Sequence, residues 1–517
     1  MFRYKGDIIE YKIYFKYKIR LIMGRPIQKI VIVGGGTAGW MTAAYLASWL
    51  ESSNISVELV ESDQIGTIGV GEATIPGIHR FIRALKISEK EFLNATNGTF
   101  KLGIEFDGWR EESMGFFHPF ADYGVALEDR SFYKTWLSAR THGLDLSLEK
   151  FCLCTQLARA GKFALPNFEE ESRLAWYNYA FHFDASLFAK YLRSFAEARR
   201  VKRTEGKLVD VLLDQSSGFI KELRLEDGRF IRGDLFVDCT GISSLLIGKT
   251  LNVKFDDWSC WLPCDSALAV QTKEWSAPDP FTRSTARTSG WQWHIPLQNR
   301  VGNGYVYCSR FISDESAKEE LLANLQGECL TQPKLIKFNT GMRQDFWSKN
   351  CVAIGLSSGF LEPLESTSIS LIQTGIEKLS AFLINFEIDE KNVAEANRLN
   401  KLEYERIRDF IILHYKLNGR KGSFWDYVRA MSIPSTLEVK IEGFKANGDI
   451  RLREQESFKT ESWVSMFCGF GVEPAEIEPS ADWPRVERLM RNMASAIQKG
   501  IVHAPSHSDF LKTVNLD

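Results

Sequence analysis

The chain has 517 residues, 44% of them hydrophobic and 25% charged, with a formal net charge of −2. This is a folded globular composition, long enough for one large domain or two fused ones. A near-zero charge gives no support for a nucleic-acid or anionic-membrane partner. No apolar run approaches the ~18 residues that a transmembrane helix needs. Nine cysteines are scattered, with Cys152/Cys154 and Cys260/Cys264 the only close pairs. Neither pair is spaced as CxxC and no histidines gather beside them, so a zinc site is unsupported. An odd, dispersed set fits a reducing cytoplasm.

Residues 1–26 read as an extension. Lys16, Lys18 and Arg20 alternate with Tyr17, Ile19 and Leu21, so no signal-peptide apolar core forms. One reading is a basic arm or an extra edge strand; the favoured one is an upstream start codon, with Met23 opening the protein. Lys29–Val33 is predicted as a buried parallel strand, followed by the turn Gly34-Gly-Gly-Thr37-Ala38-Gly39 and a helix from Trp40. Ser56–Glu61 is the next strand. Glycines 34, 36 and 39 suit a tight turn, close pyrophosphate approach and helix–strand packing. Glu61 then falls where a ribose-binding acid belongs.

Residues 203–236 read as a meander of short strands with turns at Gly206, Gly218 and Asp227-Gly228. They lead into Asp234-Leu-Phe-Val-Asp-Cys-Thr-Gly241, a buried strand with a small-residue turn. A third strand, over residues 350–355, leads into Gly355-Leu-Ser-Ser-Gly-Phe-Leu-Glu-Pro-Leu-Glu-Ser-Thr-Ser368. Three separated strand–glycine turns predict one sheet assembled from distant segments. The two later turns match the isoalloxazine side of a flavoprotein and favour FAD over NAD. From Glu377 onward helix formers dominate, with amphipathic helices over residues 394–413 and 483–499. The predicted class is an α/β, glutathione-reductase-like FAD-binding fold. Residues 27–375 are expected to form its core and residues 376–517 a mainly helical subdomain.

Two carboxylates, Glu362 and Glu365, flank Pro363 in an otherwise apolar loop, where burial is costly without a purpose. Gly290-Trp-Gln-Trp-His-Ile-Pro296 adds two tryptophans and a proline. Lys101 sits among Phe100, Leu102 and Ile104. An isolated lysine is ordinarily a solvated surface residue, but these neighbours predict a half-buried amine that can lose its proton.

Four motifs carry a family resemblance: Val33-Gly-Gly-Gly-Thr-Ala-Gly-Trp-Met, Gly69-Val-Gly-Glu-Ala-Thr-Ile-Pro76, Trp291-x-Trp293-x-Ile295-Pro296 and the loop from Phe360 to Ser368. Together they resemble the flavin-dependent halogenases of the tryptophan halogenase type. The Trp-x-Trp-x-Ile-Pro block is highly specific and separates these enzymes from ordinary flavin monooxygenases; it is thought to keep substrate from the flavin hydroperoxide.

The resemblance implies that reduced FAD reacts with oxygen to a C4a-hydroperoxide and that halide attacks it to give hypohalous acid. The oxidant then travels to a lysine and halogenates an electron-rich, indole-type ring. By that likeness Lys101, in Gly98-Thr-Phe-Lys101, is the lysine, and Arg80 is a decoy nearer the second motif. Glu365 is the partner acid, with Glu362 as its structural rival. Ser366 is substrate-proximal, and the Thr367 and Ser368 N–H groups form a halide nest. Many relatives carry glycine in place of Ser368. Leu356 and Ile369 would contact the flavin ring, and Val209 would pair with adenine. His118 and Phe120 would sandwich the indole or, as the alternative, belong to a core aromatic cluster. Trp463 would supply a further wall.

The resemblance also implies chloride or bromide as co-substrate and a separate NADH-dependent flavin reductase, and it leaves room for a homodimer. Between Lys445 and Phe467 the chain carries a short charged segment, Gly448-Asp-Ile-Arg-Leu-Arg-Glu-Gln-Glu-Ser457, in place of the family's long aromatic and acidic insert. A bare or carrier-bound aromatic is therefore expected rather than free tryptophan. The alternatives are a flavin-dependent aromatic hydroxylase and a non-catalytic FAD-binding protein.

Overall fold

The computed structural model describes residues 27–65, 71–127, 130–169, 173–273, 277–480 and 482–515. The expected N-terminal extension, and Gly69 and Val70 of the second motif, lie outside the described residues.

A six-stranded sheet holds the expected dinucleotide unit. Its strand order is Trp347–Ser348, Cys351–Ala353, Leu235–Asp238, Lys29–Val33, Ser56–Glu61 and Lys202–Glu205. All neighbours run parallel except the first, antiparallel pair. Its central strands are almost wholly buried, Lys29–Val33 as a β-branched run, because helices and loops cover both faces. Residues 202–238 form the anticipated meander, with Leu208–Leu213, Ile220–Leu225 and Phe230–Arg232 in a small antiparallel sheet. The first helix, Thr37–Trp49, is buried over most of its surface and packs on Ala185–Glu197 and Ser368–Phe382.

A second, seven-stranded sheet was not foreseen from the sequence. It contains Arg300–Tyr307, Gly290–Pro296, Thr282–Arg287, Gly103–Glu111 and Met114–Pro119 as successive neighbours. Arg300–Tyr307 is buried at all eight positions, so it shows none of the alternation by which a half-exposed strand is recognised. A three-stranded sheet sets Thr99–Lys101 against Ala180–Asp184, which also pairs with Gly71–Ala73.

Expected helices over residues 394–413 and 483–499 fall inside Glu390–Leu417 and Trp483–His503. The helix Ser368–Phe382 runs unbroken through residues 375 and 376, so no linker parts the helical region from the core there.

Candidate active site

Three glycine turns meet at the carboxyl ends of the parallel strands. Gly34 takes φ +108°, and a Cβ there would strike the Cys239 carbonyl. A Cβ on Gly39 would strike the Gly34 carbonyl, so both glycines are required for strand and helix to approach. Gly36 is different, because a Cβ there would meet nothing within 4 Å. Gly36 is also the N-cap of the Thr37–Trp49 helix and makes no side-chain cap bond. The first-turn N–H groups at Thr37, Ala38 and Gly39 have no side-chain cap, which suits an anionic pyrophosphate approaching past Gly36.

Glu61 closes the next strand and accepts from Arg203 Nε at 2.6 Å. Val209 is 46% exposed on a neighbouring strand. Gly355 takes φ +78° with its Cα facing Ala38 of the first turn. Leu356 follows it half-buried, and Ile369 is buried as the second residue of the Ser368–Phe382 helix. These residues fit a flavin dinucleotide.

The lysine end is built from side chains. Thr99–Lys101 is a fully buried strand, and Lys101 is 0% exposed. Its Nζ donates to Ser366 Oγ at 2.7 Å and lies 5.4 Å from the centre of the Phe120 ring. Burial pulls the Lys101 amine down to about 7, opposed by the negative charge of Glu365. Near neutral pH a large share of it is the free amine.

Behind this strand, Thr99 Oγ1 donates to the Pro296 carbonyl and lies 2.9 Å from His182 Nδ1. The Phe100 N–H donates to His507 Nε2 at 3.2 Å, which docks the helix His507–Asn515 on the strand.

Glu365 is also 0% exposed. Oε2 lies 2.9 Å from His118 Nδ1, and Oε1 lies 2.8 Å from His414 Nε2. Burial pushes the pKa of this carboxyl up, but His118 and His414 outweigh it and hold it at about 2. Ser366 is left-handed, with φ 58° and ψ 36°. That conformation costs a non-glycine residue of order 1–3 kcal/mol and concentrates at functional turns. Thr367 then caps the helix that starts at Ser368, and its own Oγ1 is buried without a partner.

The tryptophan halogenase family model matches residues 29–485. The chain belongs to the tryptophan halogenase family. BrvH, a flavin-dependent halogenase from Brevundimonas sp. BAL3, superposes with a TM-score of 0.92 at 44% identity, covering 95% of this chain and 99% of that one. Xcc4156, a flavin-dependent halogenase from Xanthomonas campestris, gives 0.91 at 43% identity over 95% and 99%. The 7-chloro-L-tryptophan 6-halogenase KtzR of Kutzneria sp. (strain 744) is 38% identical over 80% of this chain and 84% of its own length. This protein is accordingly a flavin-dependent halogenase.

Within the halogenase frame the predicted residues divide. Lys101, Ser366, Glu365 and His118 are brought together, with Phe120 beside the amine. The His118 ring nitrogen is engaged by Glu365, which fixes the orientation of the imidazole. Trp291 and Trp293 lie on one strand with ring centroids 6.2 Å apart; Ile295 and Pro296 continue that strand. The left-handed residue of the loop is Ser366, whereas Ser368 takes ordinary helical backbone. A glycine is therefore not required at 368.

Trp463 is buried, edge-on to Phe410 at 4.8 Å, with Lys440 Nζ 3.8 Å from its ring centre. Arg80 forms a surface ion pair with Glu377. His414 and Tyr415 were missed by the sequence reading. The only signal was a histidine–tyrosine pair ending the apolar run Phe410-Ile-Ile-Leu413 on a helix.

Among the described residues no group of histidines, cysteines and acids could hold a metal, and no helix is long and apolar enough to cross a membrane.

Proposed function

We propose that this halogenase makes hypohalous acid from oxygen and chloride or bromide, and passes it to Lys101 for transfer to an indole-type ring. The observation that carries the reading is the Lys101 amine, fully buried, held by Ser366 and poised between charged and neutral. An ammonium has no lone pair for an electrophilic halogen, and a neutral amine has one.

FAD, when bound in its reduced form, supplies the electrons that activate oxygen. Gly34, Gly36, Thr37, Ala38 and Gly39 would hold its pyrophosphate, Glu61 its ribose and Val209 its adenine. Leu356 and Ile369 would lie at its ring. Thr367 and Ser368 N–H groups would bind the halide, supported by the uncapped start of their helix. Lys101 would orient the oxidant toward the ring. Glu365, kept ionised by His118 and His414, would accept the ring proton after attack. Phe120 would stack on the substrate.

The charged segment after Gly448 is occupied by its own ion pairs: Arg398 holds Glu454, and Lys440 holds Glu456. This supports an indole-type or carrier-bound aromatic over free tryptophan. A separate NADH-dependent flavin reductase would deliver reduced FAD. The unbridged cysteines, two of them exposed, favour the cytoplasm.

The test is a reaction of reduced FAD, oxygen, chloride or bromide and a panel of indoles and phenols, read by mass spectrometry. Halogenated product that vanishes in Lys101→Ala supports the reading. A hydroxylated product unaffected by halide would establish the hydroxylase instead.

A further inference from the structure

Glu362 has no role in the scheme above, yet it is as deeply buried as Glu365 three residues later. The two carboxyls are treated in opposite ways. Glu365 is flanked by two histidines, one at each oxygen. Glu362 meets only neutral donors, and both converge on one oxygen. The Trp291 indole N–H donates to Oε2 at 2.7 Å and the Tyr415 hydroxyl at 2.6 Å. The other oxygen, Oε1, is buried with no partner. Among the described residues Glu362 forms no ion pair.

The groups facing it from each packed element are few. Trp291 comes from the motif strand and Tyr415 from the long helix Glu390–Leu417. Cys264 lies 3.5 Å beyond the Tyr415 hydroxyl. Cys264 and Cys308 are the other titratable groups that feel its charge. Burial drives the Glu362 carboxyl up to about 7, against the pull of the Tyr415 and Trp291 bonds. Neighbouring carboxyls whose environments push them apart mark different roles.

We propose that Glu362 is a positioning residue: ionised, it clamps Trp291 and with it the tryptophan motif against the acidic loop; protonated, it loosens that clamp. The geometry gives the reason. A carboxylate oxygen accepts two donors strongly, because hydrogen bonds to an ionised acceptor are roughly twice as strong as neutral ones. A proton would sit on Oε1, which has nothing to donate to, and would weaken both bonds at Oε2. The motif strand also carries Pro296, whose carbonyl anchors the lysine strand through Thr99. A loosened Trp291 therefore reaches the halogenating centre, and this consequence rests on the halogenase reading.

Fluorotryptophan labelling tests the clamp without any turnover. The Trp291 resonance is assigned by its loss in Trp291→Phe and followed by fluorine NMR across neutral pH. It is expected to shift with a midpoint near 7 in the wild type, to stay flat in Glu362→Gln, and to move its midpoint upward in Tyr415→Phe. A wild-type resonance that does not titrate, or titrates equally in Glu362→Gln, overturns the proposal.

The ratio of halogenated product to oxygen consumed is the second readout. It should fall at all pH in Trp291→Phe, and below neutral pH it should fall more steeply in the wild type than in Glu362→Gln, where the Lys101 amine alone still titrates. A ratio that keeps the same pH dependence in the Gln variant also overturns the positioning role. Should the wild type make no halogenated product while Trp291 still titrates, the halogenase reading fails and the clamp stands.

Discussion

The flavin end and the lysine end of this halogenase are made by different means. At the flavin end the chain offers backbone: glycines with free space, a bare helix start, and turns at strand ends. At the lysine end it offers side chains gathered from far apart, with Lys101 and Ser366 separated by 265 residues and His118 and Glu365 by 247. A backbone site is disabled by adding a Cβ. A side-chain site is disabled by changing a charge. The first binds by shape, and the second is set by how burial and neighbours divide protons among a lysine and two carboxyls.

Four substitutions would break or sharpen that contrast. Lys101→Ala should abolish halogenated product while leaving flavin binding intact, checked by product mass spectrometry beside flavin fluorescence titration. Glu365→Gln keeps the shape and removes the base, so turnover should drop by about 10²–10⁴-fold, measured by single-turnover kinetics. Gly36→Val fills open space and should weaken flavin binding without lowering the thermal midpoint. Gly39→Val meets the Gly34 carbonyl and should lower that midpoint.

His414→Leu removes one of the two groups that keep Glu365 ionised and leaves buried Oε1 only the longer, 3.2 Å contact with His118, at a cost of about 1–3 kcal/mol. The native pKa of about 2 lies below the ordinary 4.5, so Glu365 contributes stability above 4.5 that fades as pH falls toward 2. The variant raises the native value, so its acid-unfolding midpoint should move to higher pH.

A pH-dependent effect is expected at Lys101 itself. Its native pKa of about 7 lies below the ordinary 10.5, so between these values the unfolded chain binds the extra proton. Stability contributed at this position therefore rises with pH from about 7 to 10.5. Denaturant unfolding of Lys101→Met, which carries no proton, should lack that slope.

The same contrast explains what the sequence could reveal. Gly34 to Gly39 is legible because strand, turn and helix are contiguous and each glycine answers a local steric demand. The parallel sheet follows from three such units. The seven-stranded sheet was hidden because Arg300–Tyr307 is buried on both faces and so carries no period-two alternation. Lys101 and Glu365 were found through the resemblance, but their mutual tuning was not, since His414 reaches Glu365 from a helix that reads as ordinary amphipathic sequence. Glu362 looked structural for the same reason: its partners, Trp291 and Tyr415, lie 71 and 53 residues away.

The contact between the Phe100 N–H and His507 also bears on biosynthesis. These residues are 407 positions apart, so the lysine strand waits for its last hydrogen-bond acceptor until the helix His507–Asn515 has left the ribosome. The dinucleotide turns of Gly34 to Gly39 have emerged long before. The fold therefore schedules the part that would carry an oxidant after the part that would bind flavin, and an unfinished chain lacks the backing of its reactive amine.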